Sequence, residues 1–238
     1  MPLYPGPLRQ VIGVRPMSIE IYWFSGSPFA WRAILAAEVK GIDYTSRLIQ
    51  ASDGDHQKPE FLAMSPRGKV PVLRDGDLVV TESLAILAYL DRRFPEPPLF
   101  GRTPEETGQI WRLALDFENN SLGQFMNIIQ PIFFDQVEEK REQVEAAADA
   151  VTHELARLEG RLKEQPWLAG EAVSAADIAI YPFVEAVLRA AGKPIAKTVP
   201  LRVLPFEQTY PALAAWRQRV GLLPGYERAY PPHWRSAA

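Results

Sequence analysis

Two kinds of apolar periodicity divide this chain at a block of prolines. Between Ile19 and Phe94 short strand-like runs alternate with helix-like ones, and after Thr103 apolar residues recur almost entirely at helical spacing. That change of period predicts two domains, the first mixed α/β and the second all helical. The seam is Pro95-Glu96-Pro97-Pro98, which cannot continue the helix before it. The expected division is a loose leader over 1–17, a first domain over 18–94, a linker over 95–103 and a helical domain over 104–238. With 238 residues, 47% of them hydrophobic, the chain can fill substantial cores.

Within the first domain the pattern predicts strand 19–24, helix 28–40, strand 43–49, a short helix near 58–63, strand 70–74, strand 77–80 and helix 82–93. The turn Asp75-Gly76-Asp77 joins two strands directly, so an antiparallel hairpin lies beside a parallel βαβ unit in one small mixed sheet. The second domain opens on Thr103-Pro104-Glu105-Glu106, a cap, a first-turn proline and a glutamate three residues after the cap, which predicts a long helix. Val144, Ala148, Val151, Leu155, Leu158 and Leu162 form one apolar stripe. Ser174 and Asp177 make a second capping box.

Composition excludes several chemistries. The formal net charge of −3 gives no electrostatic reason to expect nucleic acid or an anionic membrane as partner. The absence of cysteine excludes disulfides, thiolate nucleophiles and cysteine-ligated metals, so any thiol chemistry must use a thiol brought in by a ligand. His56, His153 and His233 are far apart and show no metal-type spacing; no metal is expected. The first 17 residues carry Pro2, Pro5, Pro7, Arg9, Arg15 and Pro16 and no apolar signal-peptide core. Ala175 to Leu188 is broken by Asp177, Pro182 and Glu185, well short of a membrane span, and a cytoplasmic location is expected.

Three short motifs carry chemistry. In "SGSPFAWR", Ser27 stands before Pro28 at a helix start, where a hydroxyl caps the helix and faces its positive end. In "KVPVL", Pro71 heads an apolar strand and must occupy an edge or a special turn. A cis bond there would turn the Val70 backbone outward, offering its N–H and C=O to an extended ligand; the pattern alone leaves cis and trans open. In "TESLAIL", helix-start N–H groups and Ser83 suit a carboxylate while Glu82 suits an ammonium, together fitting the zwitterionic end of an amino acid. Capping alone would also favour these residue types there.

With these motifs in order, and "SAAD" near 174, residues 18 to 220 resemble the cytosolic glutathione transferases. The resemblance implies a thioredoxin-like α/β domain followed by an all-α helical-bundle domain, with glutathione as co-substrate and no metal. Pro71 matches the cis-proline, Val70 the backbone partner of the cysteinyl part, and Glu82 with Ser83 the pair that holds the γ-glutamyl end. Lys69 matches a basic residue that reaches the glycyl carboxylate, and His56 lies in a segment similar to the one supplying a glutathione-binding histidine in theta and delta classes. Ser27 falls where the serine-type tau, theta and zeta classes place the hydroxyl facing the sulfur. Tyr22 and Ser25 are its rivals; Trp31-Arg32 favours the serine-type register.

The implied reaction is attack by the glutathione thiolate on a small hydrophobic electrophile. Phe24, Phe29, Phe117, Asn120 and Phe125 are the expected pocket lining, with 127–134 and 230–234 closing over it. Omega and beta classes, which use a cysteine, are excluded by composition, and Ser27-Pro28-Phe29 departs from the Ser-Ser-Cys of zeta-class isomerases. The alternatives are a glutathione-dependent isomerase or ether-cleaving enzyme on the same fold, and a non-catalytic binding module. The resemblance further implies a detoxifying role and a homodimer.

Overall fold

The computed structural model describes residues 19–235; the leader expected over 1–17 lies outside the described residues. The first half runs β1 (Ile19–Trp23), α1 (Pro28–Val39), β2 (Thr45–Leu48), α2 (Pro59–Met64), β3 (Val72–Asp75), β4 (Leu78–Thr81) and α3 (Ser83–Arg93). The strands are ordered β2-β1-β3-β4. β1 pairs parallel with β2 and antiparallel with β3, placing Ile21 between Ser46 and Leu73. The Asp-Gly turn folds β3 onto β4, with Asp75 opposite Leu78. β3 begins two residues later than expected, because Pro71 has no N–H to give a ladder and pairing starts at Val72.

Alternation along β1 assigns its two faces. Ile19, Ile21 and Trp23 are buried in the core. On the other face Glu20 accepts hydrogen bonds from Arg47 and Arg74 of the flanking strands, and Tyr22 lies edge-on to Phe61 of α2.

The second half contains α4 (Pro104–Asp116), α5 (Leu122–Phe133), α6 (Arg141–Glu164), α7 (Ala175–Ala191) and four shorter helices, α8 (Phe206–Thr209), α9 (Pro211–Gly221), α10 (Tyr226–Ala229) and α11 (Pro232–Arg235). The capping box at Thr103 forms: its hydroxyl accepts from the Glu106 N–H and the Glu106 carboxylate accepts from the Thr103 N–H, each at 3.2 Å. The long helical run expected after it extends over 104–133, with one irregularity. The Leu122 N–H bonds back to the Phe117 carbonyl, five residues earlier, so a π-helical turn at Phe117–Ser121 separates α4 from α5. The α6 stripe from Val144 to Leu162 is buried as its spacing predicts.

α7 is the central helix, and its N-terminus is more elaborate than a capping box. Asp177 Oδ2 accepts from the Ser174 N–H and hydroxyl, while Oδ1 accepts from the Leu168 N–H and Trp216 Nε1. A carboxylate this deeply buried needs such a complete set of donors. α1 packs on α3 and the sheet from one side and on α7 and α10 from the other, so it is buried on nearly every face and joins the two halves. No helix among the described residues is long and apolar enough to cross a membrane.

Candidate active site

A cleft of about 560 Å³ opens along the C-terminal edge of α2, the approach to β3 and the start of α3. His56, Lys69, Val70, Pro71, Glu82 and Ser83, far apart in sequence, all line it. The Val70–Pro71 bond is cis, and because the ladder begins at Val72, Val70 stands outside the pairing of the sheet. The Ser65 hydroxyl holds this loop, donating to the Lys69 carbonyl at 2.9 Å and accepting from its N–H at 3.2 Å. Glu82 is the residue before α3 and has φ +67°, an unfavourable backbone for any residue with a side chain. Such strain, held at a cleft, is a common mark of a ligand site.

Ser83, the first residue of α3, is buried at the cleft wall beside N–H groups that the first turn of a helix leaves without intrahelical partners. Its oxygen accepts from Arg32 Nη1 at 3.0 Å, leaving its proton free to donate to an anion. His56 stands edge-on to Phe24, ring centroids 5.4 Å apart, and its buried Nδ1 has no partner among the described residues. Arg67 and Gln130 also line the cleft; sequence reasoning passed over Arg67 and expected Gln130 only within the closing run 127–134. The basic residues around Pro66 were the available signal for Arg67, and Gln130 reaches the cleft from α5.

Arg32 is fully buried in α1 and ties the site to the helical half. Its Nε donates to the Ala179 carbonyl of α7 at 2.7 Å, Nη1 reaches Ser83, and Nη2 pairs with Glu118 of the π turn at 2.9 Å. The guanidinium also lies 4.6 Å from the Phe183 ring centroid. Burial pulls the Arg32 pKa down, and the Glu118 carboxylate opposes that shift. The sequence motif used Arg32 only to set register; the structure makes it the link between Ser83 and the second half.

Ser27 caps α1, its oxygen accepting from the Ala30 N–H at 3.3 Å, and Pro28 follows at the first helical position. It lines a second cavity of about 580 Å³ together with Phe24, Phe29, Met126, Ile129, Phe133 and Trp234. This cavity shares Phe24, Phe29, Met126 and Gln130 with the first, so the two are neighbours across one wall. Of the rival hydroxyls, Ser25 lines the same cavity as Ser27 and Tyr22 does not. Ser25 Oγ lies 2.6 Å from His233 Nδ1, and the Tyr22 hydroxyl donates toward Glu20 at 3.4 Å while Tyr22 lines neither cavity.

Of the expected pocket residues, Phe24 and Phe29 line the apolar cavity and three others do not. Phe117 and Phe125 are core: both are fully buried, edge-on to each other with centroids 5.2 Å apart. Asn120 donates to Asp116 at 2.8 Å and faces a separate polar groove beside α6. The expected closing segments do reach the cavity, through Ile129 to Phe134 on one side and His233 with Trp234 on the other.

Comparison with known proteins fits this geometry. Residues 26–93 match the family model for the glutathione S-transferase N-terminal domain, and 123–224 that for the C-terminal domain. Glutathione S-transferase 4 of Zea mays is 33% identical over 175 residues, covering 72% of this chain and 78% of the relative. A glutathione S-transferase from the Antarctic clam Laternula elliptica superposes with a TM-score of 0.75 at 28% identity, over 92% of this chain and 94% of that one. The theta class enzyme of Xanthomonas axonopodis pv. citri, solved with glutathione bound, gives 0.74 at 28%, over 90% and 97%. A mixed four-stranded sheet, a cis-proline cleft and a helical second half thus meet in one assignment: the chain belongs to the glutathione S-transferase family.

Proposed function

We propose that Ser27 activates the glutathione thiol in this glutathione transferase, while Val70, Pro71, Glu82, Ser83, Lys69 and His56 bind the tripeptide. The observation that carries the reading is adjacency: a cleft lined by His56, Lys69, Glu82 and Ser83 at the start of α3 shares a wall with an apolar cavity on which Ser27 stands. The γ-glutamyl carboxylate would sit on the Ser83 hydroxyl and the start of α3, and its ammonium on Glu82. Phe24, Phe29, Met126, Ile129 and Phe133 would bind a small hydrophobic electrophile.

The energetics are of the right size. A free thiol has a pKa of about 8.5, and lowering it by about two units takes about 2.7 kcal/mol. A hydrogen bond to a charged group supplies about 1.5–3 kcal/mol, and the N-terminus of α1 about 0.3–1 kcal/mol more. The thiolate then forms a bond to the electrophilic carbon, and the leaving group departs with its electron pair.

Titrating the ultraviolet thiolate absorbance of bound glutathione tests this. Ser27→Ala is expected to return the bound thiol towards about 8.5 and to lower kcat/KM at neutral pH by about ten- to a hundredfold, with glutathione affinity nearly kept. Calorimetry showing no glutathione binding at millimolar concentration would overturn the reading. Binding without turnover of any electrophile in a broad panel would favour the binding module. We further propose a cytoplasmic homodimer, and a sedimentation mass near the 26.7 kDa of one chain would overturn the dimer.

A further inference from the structure

We propose that His233 is a positioning residue for the loop that carries Ser27, fixing Ser25-Gly26-Ser27 from the far end of the chain. The inference rests on the reading of Ser27 as the thiol-activating residue. Two contacts carry it. Ser25 Oγ lies 2.6 Å from His233 Nδ1, 208 positions away in sequence. The imidazole also lies directly against Gly26: a Cβ on that glycine would stand 2.6 Å from His233 Cε1 and 3.1 Å from Nε2. Gly26 has φ +83°, so the backbone and the close approach both require glycine there.

The segment that presents His233 is itself anchored. Trp234 is 5% exposed and lies edge-on to Trp31 of α1, centroids 5.3 Å apart, with the Arg189 guanidinium 4.5 Å from its ring. Tyr230 packs edge-on to the same Trp31 at 5.7 Å. The C-terminal strap therefore grips both sides of Ser27, through Ser25 and Gly26 before it and Trp31 after it. Desolvation and the nearby Arg189 hold the imidazole below its ordinary pKa, which favours the neutral ring. His233 and Trp234 also wall the cavity that Ser27 lines, so one short segment closes the pocket and sets the loop.

A loop residue held on both sides keeps its hydroxyl aimed; released, it samples rotamers that miss the sulfur. Without its grip the glutathione clamp, built on α3 and the cis-proline loop, stays intact. The expected signature is loss of thiol activation without loss of binding.

The test uses the full chain with glutathione and an electrophile that the wild type turns over. His233→Ala is expected to raise the pKa of the bound thiol and to lower kcat/KM about fivefold, the effect of losing one hydrogen bond of ordinary net strength, with glutathione affinity within about twofold. His233→Asn, whose amide atoms stand where Nδ1 does, is expected to restore most of the loss; His233→Gln, whose polar atoms reach further, is not. Ser25→Ala removes only the hydrogen bond and should show the same loss or a smaller one, since His233→Ala also removes the contact with Gly26, and the double variant should be no worse than His233→Ala.

Several results would overturn the proposal. They are a thiol pKa unchanged in His233→Ala, additive losses in the double variant, or a much larger loss in Ser25→Ala, which would make Ser25 the thiol partner. A wild type that binds no glutathione overturns the underlying reading and this one together. A wild type that binds and activates glutathione, matched by His233→Ala, overturns this one alone.

Discussion

A serine oxygen offers two lone pairs and one proton, and at Ser27 a lone pair takes the Ala30 N–H while the proton stays available. Capping α1 and facing a thiol are therefore compatible, and both draw on the positive end of the same helix. Glu82 shows the opposite relation between local structure and role, because its φ of +67° opposes the folded state. Glu82→Gly removes that strain, and after allowing for the added freedom of glycine in the unfolded chain it is expected to stabilise by about 1 kcal/mol. Calorimetry should show a melting temperature higher by about 2–4 °C together with at least about tenfold weaker glutathione binding; a lower melting temperature would refute the strain argument. Val70, Pro71, Glu82 and Ser83 of the cleft were legible because their motifs sit at a strand head or a helix start, whereas Lys69 and His56 were named through the resemblance alone. The apolar ones were legible only in part: Phe24 and Phe29 flank the Ser27 loop and line the cavity, but helical spacing marks Phe117 and Phe125 as inward-facing without saying which inner surface they meet, and both belong to the core.

Caps and turns made most elements readable. The Thr103 and Ser174 boxes, the Asp-Gly turn and the α6 stripe each coincide with an observed start, reversal or buried face. Their signals are local, made by residues within a few positions of one another. The π turn at Phe117–Ser121 carries no such signal, and it matters beyond its length. One extra residue in the turn rotates every following side chain by about 100° around the axis, so residues of α5 cannot be assigned a face by extending the period of α4. It also presents Glu118 to Arg32, a pairing across 86 positions that no window of sequence contains. Asp177 follows the same rule: its capping box was visible, but the bonds from Leu168 and Trp216 depend on packing that only the assembled helices create.

At the scale of the molecule, the division read from the change of period describes architecture, whereas the packing describes a single cooperative body. One hydrophobic cluster runs from Ile21 and Leu73 through Ala33 and Leu35 of α1 to Ile180 and Phe183 of α7. Polar ties follow the same course. Lys40 donates to Asp91 at 2.9 Å and Asp91 accepts from the Leu99 N–H, fixing the linker on the first half, and Glu38 accepts from Arg228 of α10 at 2.8 Å across the boundary. If either half unfolded alone, α1 would expose one whole buried face and Arg32 would lose either Ser83 or Glu118 and Ala179. The two halves are therefore expected to melt in one calorimetric transition whose measured enthalpy equals the van't Hoff enthalpy. Arg32→Ala tests the coupling. It leaves the Glu118 carboxylate without its partner, and because Glu118 is 29% exposed the cost belongs at the low end for a broken buried pair, about 3 kcal/mol. That lowers the melting temperature by about 6–12 °C while the transition stays single, since the apolar cluster still bridges the halves. Two resolved transitions in the wild type would mean that the seam at Pro95–Pro98 divides the molecule energetically as well as in sequence.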